Sequence, residues 1–436
     1  MFDPTIALCV IVLAQAEPLP SSDGTNPSQP PVHPGVAEGG EEVEVSILGE
    51  RVASPIDVDL LATLDLSATS GGASSPKSGA YLLDLTVTAD LGALDLVPGG
   101  VVFADLQYYD WFGDDPSAVG DYGVWDVINP VLGEQLFQLS ELWWEQALGS
   151  GWTARAGKID ANRFFATVRV AGPFLTVADA MPPTMFGYMP TYPNPAMGVM
   201  ASWQSAEDLA ASETGGWSAQ VGVFDGTNMA FNPASGSNGP RTGSRGPGSL
   251  FDGDWGPYFV AEGGPTYRVN GWRGDATIGG WLQSGDTLTE TDLGSNIVHN
   301  AAGGYVTVTQ DLHAPEEVGT RFDVWCQLGF SNPNQSPAAF SASLGTICHA
   351  PLPGRDNDSA GFMVSTLSMS DNPNVYVAPS GDSGGQETQL EAFYRIDLGH
   401  GVVLQPDIQY IFNPGGGSPA TTEDALIGTL RIEVLF

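Results

Sequence analysis

Apolar and polar residues alternate almost one for one along short runs of this chain. In Tyr81–Asp90, the residues Tyr81, Leu83, Leu85, Val87 and Ala89 fall on one face, opposite Asp84, Thr86, Thr88 and Asp90. In Arg321–Leu328, Phe322, Val324, Cys326 and Leu328 oppose Arg321, Asp323, Trp325 and Gln327. Ala392, Tyr394, Ile396 and Leu398 oppose Glu391, Phe393, Arg395 and Asp397. Leu404, Ile408, Tyr410 and Phe412 oppose Gln405, Asp407 and Gln409, and Leu430, Ile432, Val434 and Phe436 oppose Thr429, Arg431 and Glu433. A period of two belongs to the β-strand, whose successive side chains point to opposite faces. The texture is uniform from about Val45 onward, broken by Gly, Pro, Asn and Asp, without a long 3.6-period segment or a fixed-length repeat. The chain is therefore read as all-β and antiparallel.

Two architectures give this pattern: a soluble sandwich with an apolar core, or a membrane barrel with an apolar exterior and polar interior. Length favours the barrel, because roughly 390 residues run on without a second linker, well beyond the size at which a sandwich core saturates. Sixteen strands with their turns need roughly 25 residues each. Tyr81, Tyr410, Phe412 and Phe436 stand near strand ends, where interfacial aromatic girdles sit. The alternating run ending on Phe436 suits a last strand that closes on the first and is presented to the barrel assembly machinery. The expectation is a transmembrane antiparallel β-barrel over 44–436, with short periplasmic turns and longer extracellular loops.

Composition narrows the function. Asp plus Glu number 51 against 14 Lys plus Arg, a net charge of -37, which argues against nucleic acid because phosphate binding needs clustered bases. The 42% hydrophobic and 10% aromatic content separates the chain from disordered acidic sequences. No apolar stretch is long enough for a helical span, which leaves strand spans open. Ile6–Leu13 followed by Ala14-Gln-Ala16 predicts an export signal over 1–16, mis-started or truncated because Asp3 stands where a base belongs. Residues 17–43 are Pro-rich and acidic, a periplasmic tether. Removal of the signal leaves Cys326 and Cys348. An exported protein is permitted to bridge them, although the alternation puts Cys326 on an apolar face.

Several ordered motifs then carry a likeness. Leu139-Ser-Glu-Leu-Trp-Trp-Glu-Gln146 precedes Trp152–Asp160 and Phe164-Phe-Ala166, and Val221-Gly-Val-Phe-Asp-Gly226 follows. Further on come Gly303–Leu312, Pro353–Gly361, Glu387–Arg395 and Leu404–Gly416. From about Gly71 to Phe436 the chain resembles the carbohydrate-selective porin (OprB) family. The resemblance implies a sixteen-stranded outer-membrane barrel, surrounded by lipid and monomeric or homotrimeric, passing glucose-like monosaccharides and other small hydrophilic solutes. The acidity and the extended tether depart from the family pattern and bear on substrate preference. A sugar pore needs hydroxyl partners that release as well as hold, which carboxylates, guanidinium groups and aromatic faces provide. The candidates for the pore lining are Glu141, Trp143, Glu145, Arg155, Lys158, Arg321 and Trp325, with Glu391, Arg395, Asp407, Gln409, Arg431 and Glu433. Most would simply line a solvated wall, with a minority at the constriction. The excess of carboxylates predicts a preference for cations.

Three rival readings remain. A secreted β-rich carbohydrate-binding protein without channel activity shares the alternation. Gly381-Asp-Ser-Gly-Gly385 matches a serine-hydrolase signature, yet catalysis also needs a His base and an acid, and His349 is the nearest upstream histidine. The chain is accordingly read as no enzyme. The acidic pairs Asp114-Asp115, Asp252-x-Asp254 and Asp356-x-Asp358 lack a full calcium-loop pattern, and the five histidines show no metal-ligand spacing. No metal or cofactor is expected. Asp356 and Asp358 have the further option of dipping into the lumen.

Overall fold

The computed structural model describes residues 54–436 apart from 73–74, 115–134, 177–180, 186, 206–211, 213–214, 227–255, 292–293, 314–319, 377–382 and 417–422. The expected signal and tether lie outside the described residues. So do the Asp252-x-Asp254 pair and Asp115.

Strands β1 (Ile56–Gly71), β2 (Lys77–Asp90), β3 (Gly100–Gly113), β4 (Leu136–Gly149), β5 (Trp152–Ile159) and β6 (Ala196–Gln204) open the sequence. They are followed by β7 (Gly216–Phe224), β8 (Tyr258–Val269) and β9 (Trp272–Gln283). A separate hairpin, β10 (Asp286–Thr291) with β11 (Gly294–His299), comes next. Then come β12 (Ala302–His313), β13 (Arg321–Ser331), β14 (Ala338–His349), β15 (Ser359–Met369), β16 (Gln386–Gly399), β17 (Val402–Phe412) and β18 (Ala425–Leu435). All except the hairpin pair in one closed antiparallel barrel of sixteen strands. Closure runs from Leu61 opposite Leu435 to Gly71 opposite Ala425, and the Phe436 N–H donates to the Leu60 carbonyl at 3.0 Å. Among the described residues the barrel sheet itself has no free edge, as a lipid-exposed sheet requires.

Each predicted alternation keeps its two faces. On β17, Gln405 and Gln409 are 0% exposed, whereas Ile408 is 52% exposed. The outer wall carries isolated large apolar side chains such as Phe137, Val199, Ile278 and Phe362, which in a soluble sandwich would be buried. The sandwich alternative gives way on this point: the apolar face is the outside of a closed ring. Outward-facing Trp152, Trp203, Trp217 and Trp272 mark one rim; Tyr108, Phe137, Phe330 and Phe412 mark the other. These are the two aromatic bands expected at membrane interfaces.

The rims differ in their connections. At one, Ser150–Gly151, Asn270–Gly271 and His400–Gly401 make two-residue turns with positive φ at both positions, the primed geometry that suits strand twist. The other rim carries the long connections, and the described residues of one of them, 160–195, fold into the barrel.

Cys326 stands opposite Leu344 and Cys348 opposite Phe322, both facing outward. Both are free thiols, so the permitted bridge is not formed. The positions lie too far apart along β13 and β14 for disulfide geometry. The hydrolase reading fails on distance. Ser383 sits at the long-loop rim before β16, while His349 ends β14 at the opposite rim, about 35 Å away at strand rise. Asp358 does not reach into the lumen. It closes the 350–358 turn, accepting from Arg355 Nε and Nη2 at 2.8 Å, Tyr394 OH at 2.8 Å and the Asp397 N–H at 3.0 Å.

Candidate functional site: the lumen and its in-folded segment

The lumen is built by the polar faces of the barrel strands and narrowed by the described residues of the 160–195 segment. This segment enters from β5 through a 3-10 turn at Ala161–Arg163, descends toward the short-turn rim, and returns through Pro183–Met185 to β6. A segment inside a barrel must find partners for its backbone groups, and the wall supplies them. Carboxylates accept its N–H groups: Glu141 from Asp160 at 2.9 Å, Glu262 from Ala166 at 2.8 Å, and Glu391 from Leu175 at 2.5 Å. Amides donate to its carbonyls: Gln138 to Pro193 at 3.3 Å, Gln327 to Ala166 at 3.4 Å and Gln405 to Pro173 at 2.7 Å. Gln220 does the same for Phe164.

Its apolar side chains anchor it on two patches. Phe165, Met181, Met185 and Tyr188 bury against Phe224, Tyr258, Trp281 and Tyr305 near the long-loop rim. Tyr188 stacks on Trp281 with centroids 5.0 Å apart. Val168, Val170 and Phe174 pack on Trp325, Ile347, Met363 and Phe393 lower down. Phe174 meets Phe393 edge-on at 5.0 Å and Trp325 at 5.9 Å. Glycine makes room for these rings: a Cβ on Gly361 would stand 2.2 Å from the Phe393 ring and 3.0 Å from Phe174.

The neck of the segment is its most charged point. Glu141, 1% exposed, accepts from Asp160 N, from Arg163 Nε at 2.8 Å and from Trp143 Nε1 at 3.1 Å, and pairs with Arg163 Nη2. Asp160 then accepts the N–H of Asn162 and that of Tyr192, both at 2.9 Å, tying entry to exit. Desolvation and the nearby Glu141 charge raise the Asp160 carboxyl to about 6. A bulge makes the site. Asp105 pairs with Glu141 but Leu106 with Leu139, so Ser140 is an extra residue in β4 and Glu141 points inward.

The sequence candidates separate into groups. Trp143 (2% exposed) and Trp325 (1%) underlie the in-folded segment instead of facing open water. Glu141 and Glu391 hold its backbone. Around the remaining wall, Arg155 pairs with Glu145 and reaches Ser202, and Arg395 pairs with Glu433 at 2.5 Å. Arg431 grips Asp65 through two bonds of 2.8 and 2.7 Å across the β1–β18 seam. Arg321 lies at the short-turn rim beside Asp323 and His349. Asp407 and Gln409 are buried in the wall of β17. Lys158 stands opposite the outward Leu142, is buried, and donates from Nζ to the Leu139 carbonyl at 2.8 Å; its ammonium ties down the bulge. Residues absent from the sequence reading are Glu262, Asp65 and, above all, Arg169. Near the segment's deepest point, Arg169 bonds Asp275 at 2.8 Å and Asp311 at 2.5 Å.

A closed sixteen-stranded ring with a polar interior and one connection folded into it is porin architecture, and the comparisons specify which kind. The model of the carbohydrate-selective porin, OprB family, matches residues 78–436. The chain belongs to that family. Its fold is similar to the high-pH structure of Pseudomonas putida OprB, at 16% identity and a TM-score of 0.67, covering 88% of this chain and 94% of that one. The low-pH structure of the same porin gives 11% identity and a TM-score of 0.53 over 88% and 93%. No curated protein matches the sequence. The protein is thus a carbohydrate porin of the bacterial outer membrane, and its family is one of channels.

Proposed function

We propose that this porin passes glucose-like monosaccharides and other small hydrophilic solutes by passive diffusion, and favours cations among ions. The observation that carries the reading is the wall around residues 160–195. Guanidinium groups fixed by carboxylates (Arg155–Glu145, Arg395–Glu433, Arg431–Asp65) alternate with amides and aromatic rings. Such a surface offers many hydroxyl contacts, none dominant, so that a sugar enters and leaves readily. Carboxylates outnumber guanidinium groups on the described lumen faces, which supports the cation preference. Family membership supports placing the short-turn rim in the periplasm and the long connections outside, in a monomer or homotrimer held in outer-membrane lipid. Liposome swelling tests the solute range: glucose should enter faster than maltose, and a size-matched non-sugar more slowly than glucose. Equal rates for all three would leave a general pore.

A further inference from the structure

Among the described residues, three aspartates at the rims of the outer wall accept from tyrosine hydroxyls, and one of the three also meets a base. At the short-turn rim, Asp358 accepts from Tyr394 at 2.8 Å and is paired with Arg355 at 2.8 Å. The other two stand at the long-connection rim. Asp110 lies opposite Tyr81 on the outward faces of β3 and β2. Its Oδ2 accepts from Tyr108 at 3.2 Å, Gln135 Nε2 at 3.3 Å and Tyr81 at 3.4 Å, and its Oδ1 from the Trp111 N–H at 2.8 Å. Asp424, just before β18, accepts from Tyr410 at 3.0 Å and from the Asn413 N–H at 3.1 Å. All of these donors are neutral. No ion pair among the described residues involves Asp110 or Asp424. Each carboxylate also has a pair of rings beside it. Tyr81 and Tyr108 lie 6.1 Å apart at 50°, and Tyr410 and Phe412 lie 4.6 Å apart at 65°.

We infer that Tyr81–Tyr108–Asp110 and Tyr410–Phe412–Asp424 are docking sites for the ammonium group of a membrane lipid headgroup. The Arg355 guanidinium shows what completes the tyrosine–aspartate unit at the other rim: a nitrogen cation. At the long-connection rim both units face outward in the aromatic band, the level at which headgroups lie. The chemistry selects the cation. A carboxylate takes charge-assisted hydrogen bonds from an ammonium N–H, and neighbouring ring faces attract an organic cation. A bare metal ion prefers six or more oxygen ligands, whereas each unit offers one carboxylate whose two oxygens already accept from the protein. An anionic headgroup would be repelled. The units lie on β2–β3 and at β17–β18, on either side of the seam where β18 meets β1, so two headgroups would flank the closing strands. Nothing in this assignment depends on which solute the lumen passes.

The test uses the refolded full chain in detergent micelles, titrated with dioleoylphosphatidylethanolamine or, at the same concentrations, with the anionic dioleoylphosphatidylglycerol. Native mass spectrometry counts the lipids retained. The wild type should hold two ethanolamine lipids beyond the number of glycerol lipids. The isosteric Asp110→Asn and Asp424→Asn should each weaken one of the two by about tenfold, the loss expected for an exposed ion pair together with a cation–π contact. The double variant should lose the preference for ethanolamine. Tyr394→Phe, at the opposite rim, should keep both lipids. Heat-modifiable migration on a detergent gel checks that each variant is folded. Equal retention of the two lipids by the wild type would overturn the assignment, and so would an undiminished preference in the double variant. Magnesium that displaces the ethanolamine lipid, stays bound in the spectrum and is lost in the double variant would make these metal sites and overturn it as well.

Discussion

The neck of the in-folded segment is where one substitution should have the largest effect. Glu141→Ala removes the acceptor for Asp160 N, Trp143 Nε1 and the Arg163 guanidinium. Arg163 would then be left with its side chain 5% exposed and its carboxylate partner gone. Breaking a buried ion pair from one side costs roughly 3–5 kcal/mol. The ring of Phe103, 4.7 Å from the Arg163 carbon, offsets part of this, so about 3 kcal/mol is a reasonable net loss. The apolar patches around Tyr188 and Phe174 do not depend on Glu141, so the loss should fall on the neck while the barrel stays closed. At about 1.4 kcal/mol per decade, neck opening should become roughly a hundredfold more frequent. Hydrogen exchange of residues 160–165 measures this directly, and single-channel recording should show higher, noisier conductance. Glu141→Gln keeps the acceptor oxygen for Asp160 N and should fall between. If both variants exchange and conduct like the wild type, Glu141 does not anchor the segment. If glucose block changes while exchange does not, Glu141 contacts the solute.

Three further outcomes follow from the same geometry. The Asp160 carboxyl, raised to about 6 by desolvation and by Glu141, is protonated more readily when the neck is docked than when it is free. Its contribution is therefore complete below the ordinary carboxylate range and is lost as pH rises through about 6; intrinsic-rate-corrected protection of 160–163 should be higher at pH 5 than at pH 7.5, and Asp160→Asn should flatten that difference. Gly361→Leu drives a side chain into Phe393 and Phe174 and should lower thermal stability by about 1–3 kcal/mol, whereas Gly428→Ala, with nothing within 4 Å of the added carbon, should be silent in a melting curve. Cys326 and Cys348 face lipid as free thiols; a membrane-impermeant maleimide should leave both unlabelled in folded bilayers and label both after denaturation without reductant.

How much of this was legible in the sequence depends on whether neighbouring strands or the distant in-folded segment decide it. The period-two pattern fixes which side chains point inward, because each strand's faces are set by its own backbone; Gln405, Asp407 and Gln409 are inward on that logic alone. Alternation fails where the backbone departs from it. Ser140 is an extra residue in β4, and Gly157, with φ of 146°, distorts β5. Lys158, expected on the lumen face, accordingly serves the bulge. What no strand pattern reveals is the infolding of 160–195, which turns Trp143, Trp325, Glu141 and Glu391 from open lining into supports. One signal was present: Phe164-Phe165, Val168, Val170, Phe174, Leu175, Met181, Met185 and Met189 crowd a connection between strands, where a solvated loop would be polar. The turn at Asn270-Gly271, by contrast, is readable directly, since both residues favour positive φ.

The most direct test of the account is planar-bilayer recording from the refolded protein, titrated with glucose, maltose and a size-matched non-sugar, with the reversal potential measured in a salt gradient. The account predicts stepwise openings, cation preference and graded current block by glucose. Stepwise openings with anion preference and no sugar block would contradict it, leaving the barrel but not the function proposed for its lumen.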